Sequence, residues 1–275
     1  VINGIPNIVE SWNQIKKNNI SYIKGAIYIG PSYLAGKYIP NKWKGVKIFE
    51  LLELSVPKTI HINFNSLPQQ LLPFPFVLKP TMFSGGAGIR FVKNKKEFNE
   101  AIKLLSKLGE KEAIITEYVD GMEFSAEILR LGNFTKIFPA GAKQYTTTNL
   151  DHADNKVKLF GYLNPIKNIE KDILLLVESL SIQGLFSVEG IINDKKKMVL
   201  KITEAAPRVT GNLPMEEASA GISAFQQIAN YVVSGNINFS SKNNVTFEVP
   251  IFKHNNEDSI QRLNKLNWIK RAVLD

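Results

Sequence analysis

Glu189 and Glu204 carry the clearest chemistry in this chain. They lie in "LFSVEGIINDKKKMVLKITEAAPR", where two apolar runs flank a charged turn. A hairpin turn centred between Lys196 and Lys197 sets Glu189 directly opposite Glu204. Carboxylates facing each other across an antiparallel ladder repel, so something positive belongs between them. A magnesium ion suits the position, because it takes hard oxygen ligands and shares them with substrate phosphates; manganese is the other candidate. By the two-residue period of a strand, Ala206 and Arg208 share the face of Glu204. Arg208 can then aim its guanidinium at the same phosphates. A turn displaced by one residue would send one glutamate to solvent instead, and the sequence leaves both registers open.

A second group lies upstream, in "FPFVLKPTMFSGGAGIRFVKN". Here Ser84, Gly85, Gly86, Ala87 and Gly88 join two runs that both read as strands, and Lys79 ends the first. No Gly-Lys-Ser/Thr closes the loop, and no helix follows it, so neither of the common strand-to-helix phosphate loops fits. A glycine-rich hairpin tip has another use: it can fold over a nucleotide and offer unhindered backbone N–H groups to phosphate oxygens. Lys79 reaches the same phosphates as a point charge. Alone, such a tip reads better as an ordinary flexible hairpin. The hinge Glu117, Tyr118 and Val119, in "TEYVDGMEFSAEI", is a third site. The backbone C=O and N–H of Glu117 and Val119 can meet adenine there. Glu123 can accept hydrogen bonds from ribose hydroxyls, or simply face solvent as a strand residue.

The elements that must position these groups mix hairpins and segregated helices, which reads as α+β and not as a parallel α/β repeat. "NKWKGVKIFELLELSVP" is a helix with Val46, Phe49, Leu52 and Leu54 near one face. "NKKEFNEAIKLLSKLG" is a second, with Asn94 as N-cap, Glu97 completing a capping box and Gly109 closing it. "EFSAEILRLGN" and "FTKIFPAG" form a hairpin, and "EAIITEYV" and "TFEVPIF" are strands. "IEKDILLLVESLSIQG" is an amphipathic helix ending at Gly184, and "PMEEASAGISAFQQIANYVVSG" is one long helix.

The 275 residues are 44% hydrophobic, enough for a substantial core. No apolar run reaches membrane-spanning length, no charged-then-apolar leader opens the chain, and there is no cysteine. A cytoplasmic protein without disulfides, thiolate metal sites or a cysteine nucleophile is expected. The net charge is +9. Its lysines are scattered, and no basic stripe with interleaved aromatics appears, which argues against a nucleic-acid partner and for an anionic small ligand. His61, His152 and His254 are dispersed and read as surface or structural residues, and Trp43 and Trp268 as packing residues. "TTTNLDHADN" reads as a polar loop, and "SIQRLNKLNWIKRAVLD" as a terminal helix.

Taken together, these segments resemble the ATP-grasp superfamily, from about Ala26 to Gly235. "FVLKP" is similar to its strand with the phosphate-binding lysine, "SGGAG" to its lid loop and "EYVDGMEFS" to its adenine hinge and ribose-binding acid. "VEGIIN…ITEAAPRVTGN" is similar to its paired metal-binding acids and arginine. Asn41-Lys42 stands where an Asp-Lys pair is common, and Ala206 where an asparagine metal ligand is common. The resemblance implies an ATP-grasp fold of two α+β subdomains gripping ATP, with a short N-terminal pre-grasp remnant. It divides the chain into a pre-grasp segment 1–40, a helix and connection 41–73, a lid subdomain 74–119, a C-terminal grasp subdomain 120–240 and a strand and tail 241–275. It implies an ATP-dependent carboxylate–amine ligase acting on small molecules, in which Lys42 and Lys79 hold phosphates and Glu189 and Glu204 hold Mg²⁺. Arg208 would stabilise the transferred phosphoryl group. A bicarbonate-using enzyme and a non-catalytic ATP-binding sensor or subunit stand as alternatives, and a homodimer or a separate N-terminal partner is compatible with any of these.

Overall fold

The structure, a computed structural model, describes residues 29–146, 157–163, 167–193, 199–240, 242 and 244–249. Most of the expected pre-grasp segment, the Lys196–Lys197 turn, nearly all of the polar loop, His152, His254, Trp268 and the terminal helix lie outside the described residues. No helix among those described is long and apolar enough to cross a membrane.

Two short helices open the described chain, α1 (Tyr33–Tyr38) and α2 (Lys42–Leu51). Asn41 caps α2 through Lys44 N–H, at 3.0 Å. The first sheet has four antiparallel strands, β1 (Thr59–Asn63), β2 (Phe76–Pro80), β3 (Arg90–Val92) and β4 (Glu112–Glu117), in the order β1-β4-β2-β3. Helix α3 (Lys95–Lys107) packs on it, burying Phe98, Ala101 and Leu105 against Phe76, Leu78, Val92 and Ile115. Asn94 accepts from Glu97 N–H at 3.0 Å, and the Glu97 carboxylate turns back to Lys93 N–H at 2.8 Å. The cap is therefore reciprocal, but its return bond falls one residue before the expected one.

The second sheet holds β5 (Met122–Leu131), β6 (Phe134–Ile137), β7 (Ala140–Tyr145), β8 (Lys158–Leu163), β9 (Gly184–Ile192), β10 (Leu200–Ala206) and β11 (Thr246–Glu248). Its order is β10-β9-β5-β7-β8-β11, with β6 paired to β5. One face is apolar: Phe124, Ala126, Ile128, Val188 and Ile202 pack with Phe49 of α2 and with Ile173, Leu176 and Val177 of α4 (Lys167–Ser179). Alternation sends Glu123, Ser125, Glu127, Ser187 and Glu189 to the other face. At its far end that face turns apolar again, where Leu129, Leu131 and Leu185 are covered by α5 (Leu213–Ala220) and α6 (Ala224–Ser234).

Two helix expectations need correction. The long final helix is two helices, because Gly221 adopts φ 66° and ends α5, and Ser223 then caps α6 through Gln226 N–H. Helix α4 stops at Ser179, with Ser181 at φ 47°, and Gly184 begins β9. Both misreadings come from apolar periodicity that runs on across a left-handed break.

The glycine-rich loop does join strand to strand, since β2 pairs antiparallel with β3. Gly85, Gly86 and Gly88 all have positive φ, and Ala87 N–H and Ile89 N–H close tight turns on Ser84 O and Gly86 O. A Cβ at Gly88 would lie 2.7 Å from Pro80 and 3.1 Å from Leu105, whereas one at Gly86 meets open space. Gly88→Ala is therefore expected to lower stability by more than the roughly 1–2 kcal/mol of a left-handed alanine, and Gly86→Ala by about that amount; urea unfolding of both variants checks the order.

Candidate active site

The two facing carboxylates lie where the sequence put them, but by a different route. Leu200 pairs with Ile192, Lys201 with Ile191 and Ile202 with Gly190, one residue out of step with a turn centred between Lys196 and Lys197. A bulge between Ile202 and Glu204 then shifts the register, and Glu204 pairs with Glu189. The same shift leaves Ala205 in the apolar core, with Glu204 and Ala206 on the polar face.

Each carboxylate has a lysine. Lys143 Nζ lies 3.3 Å from Glu189 Oε1, and Lys42 Nζ lies 3.4 Å from Glu204 Oε1. Both lysine side chains are nearly buried, while Glu189 and Glu204 are 36% and 33% exposed. Burial works against charge on Glu189, but Lys143, Lys42 and Lys79 overcome it and hold its pKa below the usual carboxylate range. Burial also works against Lys143, and Glu189 and Glu123 hold its pKa above the ordinary lysine value.

Lys79 comes from the first sheet, opposite Ile114 in β4. Burial pushes its pKa down, partly offset by Glu204 and reinforced by Lys42. Its charge is thus felt by carboxylates of the second sheet. Lys42 also donates through Nζ to Phe83 O, just before Ser84, and its N–H bonds Thr81 O at 2.8 Å. This one lysine ties the start of α2, the hairpin loop and Glu204 together. Lys42, Met82, Phe83, Ser84, Glu204, Ala206 and Arg208 line a common cleft. Ser84, Gly85 and Gly86 are exposed above it, and Arg208 is half-buried and donates to Val209 O at 3.0 Å. A wider groove of about 590 Å³ runs beside α6, but its lining, including Phe225, Gln226 and Asn238, has no charged side chain.

The hinge is partly committed. Glu117 N–H donates to Lys58 O at 2.9 Å, Val119 O accepts from Thr146 Oγ1 at 3.1 Å, and Tyr118 Oη reaches Thr146. Lys201 Nζ sits 2.6 Å from Glu117 Oε1 and bridges the two sheets. Against the burial that would raise it, this partner lowers the Glu117 pKa. Glu123 lies on β5 opposite Ile191, half-buried on the polar face. His61 lies outside the cleft, stacked on Trp43 and 3.0 Å from Glu112.

Sequence reasoning singled out Lys42 for phosphates but paired neither it nor Lys143 with the acids, and it missed one further pair. Glu127 and Glu216 are buried together, and Glu127 N–H donates to Glu216 Oε2 at 2.7 Å. Thr210 Oγ1 donates to Glu127 Oε1. Burial pushes the Glu127 carboxyl up to about 8, against the Thr210 hydrogen bond, and pushes Glu216 well above the usual range, reinforced by Glu127. The alternation Glu123, Ser125, Glu127 along one strand was a visible signal. The partner on α5 was not.

An ATP-grasp domain profile matches residues 39–212, more than half of the chain. The chain belongs to the ATP-grasp family. It is 24% identical over 195 residues to a D-alanine–D-alanine ligase from Petrotoga mobilis, covering 67% of this chain and 63% of that protein. Among solved structures it is similar to an L-amino acid ligase from Bacillus licheniformis, with TM-score 0.62, 19% identity and coverage of 80% of this chain and 52% of that one. It is also similar to the biotin carboxylase domain of a Hydrogenobacter thermophilus 2-oxoglutarate carboxylase, solved with MgADP and bicarbonate. There the TM-score is 0.65, with 14% identity and coverage of 86% and 55%. The chain thus spans less than two thirds of the length of each, and the structural likenesses establish the ATP-grasp fold.

The buried acid pair makes stability depend on pH. Glu127 ionises near the ordinary carboxylate value when unfolded but holds its proton to about 8 when folded. Between those values the folded state binds more protons, so stability falls as pH rises. Thermal melts should show Tm dropping from about pH 5 to about pH 8, with a shallower slope in Glu127→Gln; an equal slope in both proteins would contradict the assignment.

Proposed function

We propose that the chain is an ATP-grasp ligase that joins a carboxylate to an amine through an acylphosphate, releasing ADP and phosphate. The observation that carries this is the register pairing of Glu189 with Glu204 at a cleft shared with Lys42, Arg208 and the start of the glycine-rich hairpin.

The residues fit a magnesium ion. Two hard carboxylates stand side by side with accessible oxygens, and among the described residues no cluster of three or more ligating side chains forms an all-protein cage. That suits an ion completed by phosphate oxygens and water. When bound, it would supply charge neutralisation at the transferring phosphoryl group. Until then Lys143 keeps Glu189 ionised, and Lys42 pairs with Glu204. Lys42, released from Glu204, would turn its charge to the phosphates beside Lys79. The N–H groups of Ser84, Gly85, Gly86 and Gly88 would close over them, and Arg208 would hold the transferred phosphoryl. At the hinge, Glu117 C=O and Val119 N–H remain to meet adenine, and Glu123 the ribose.

Catalysis then needs no protein nucleophile. Positioning and charge do the work. Bicarbonate as the acid is the second reading, supported by the bicarbonate-bound likeness above. Products measured over a panel of acids and amines, with bicarbonate as a separate arm, decide between them. ADP and phosphate should appear only when acid and amine are both present; AMP as the primary nucleotide product would exclude an acylphosphate.

A further inference from the structure

Glu127, Glu216 and Ser187 meet on the polar face one step beyond the metal-binding row. Glu127 pairs in register with Ser187, and Ser125 with Glu189, so the two rows are two residues apart along β5, about 7 Å. The Glu127 N–H bond brings the Glu216 carboxylate from α5 against the same strand position. Glu127, Glu216 and Ser187 are 1%, 0% and 2% exposed. Yet Glu127 Oε2, Glu216 Oε1 and Ser187 Oγ each lack a hydrogen-bond partner. Leaving such oxygens buried and unpaired is costly.

The nearby cations reach these carboxyls by charge but not by a hydrogen bond to the three oxygens. Lys143 is paired to Glu189, and Arg208 donates to Val209 O. Glu189 adds further negative charge. The donor set is too small for a metal cage, since no group of three or more ligating side chains occurs among the described residues. A primary ammonium, however, carries three N–H donors in a compact head, matching the three unpartnered oxygens. The cleft is close by: Ala206, which lines it, pairs in register with Ser187 and has no side chain beyond Cβ.

Resting on the ligase function proposed above, we infer that Glu127, Glu216 and Ser187 form a subsite for a primary ammonium group carried by one of the two substrates. The group sits about 7 Å along the strand from the carboxylates at the phosphoryl centre, so it is not the attacking amine. It is either the amino group of the acid substrate or a second cationic group of the amine. The high pKa of both carboxyls describes the same site with no cation in it: each must hold a proton to stay buried. The ammonium replaces that proton.

Thermal melts of the full chain with MgADP test this. The probes are 6-aminohexanoate, its trimethylammonium analogue, hexanoate, 1,6-diaminohexane and hexylamine. The wild type should be stabilised by 6-aminohexanoate but not by hexanoate or the trimethyl analogue, if the acid carries the ammonium. It should be stabilised by diaminohexane over hexylamine if the amine carries it. Glu127→Gln and Glu216→Gln should each weaken the preferred probe about tenfold to a hundredfold. The wild-type comparison of primary with trimethylated ammonium stands even if a variant folds poorly. No preference for a primary ammonium in either series, or an unchanged response in folded variants, overturns the subsite. ADP release on the same samples reads the ligase function separately. A lost ammonium preference with ADP still formed removes the subsite alone. An ammonium preference that the variants abolish, with no ADP from any acid–amine pair, supports the subsite and removes the ligase.

Discussion

Two carboxylates held side by side on adjacent strands set the terms for the rest of the molecule. Glu189 and Glu204 would repel if left alone, and the fold answers with Lys143 on one side and Lys42 on the other. Such pairs are not strong struts, because their acid ends face water and are screened. Their effect is to set a positive charge beside each acid and, at Glu189, to hold the carboxyl ionised against burial. Two adjacent acids, each with one replaceable cation, are where the proposed divalent ion would sit.

Nearly every element near the cleft has a part in that arrangement. The bulge before Glu204 creates the pairing. Helix α2 begins at Lys42, so its start is tied to the acid and to the hairpin loop at once. The first sheet contributes Lys79 to the field of the second, and the Lys201–Glu117 pair joins the two sheets at the hinge. The apolar face of the second sheet anchors this by packing against α2 and α4. The polar face is therefore rigidly backed where charge must be placed to within fractions of an ångström.

Much of this was legible before the fold. Strand alternation, the glycine run and the Glu-x₃-Arg spacing from Glu204 to Arg208 are local patterns, and local patterns survive in sequence. The facing of Glu189 and Glu204 was also anticipated, though through a turn position that the strand ends do not obey. A bulge shifts register by one residue without a compositional mark strong enough to read at Thr203. The lysine partners were hidden for another reason. Lys143 is one lysine among many in a chain of net charge +9, and only the β5–β7–β9 neighbourhood selects it. Glu216 was hidden more deeply, since α5 meets β5 across 89 residues of chain. Helix ends at Gly221 and Ser179 were misplaced because hydrophobic periodicity continues past a backbone break.

The most direct test of the paired acids is nucleotide affinity in two metal conditions. ADP binding by calorimetry, with magnesium and with chelator, is compared between wild type and Glu204→Gln. If Glu189 and Glu204 together hold the ion, magnesium should tighten ADP binding in the wild type and do so about tenfold less in the variant, while affinities in chelator stay close. Equal tightening by magnesium in both proteins would contradict the account.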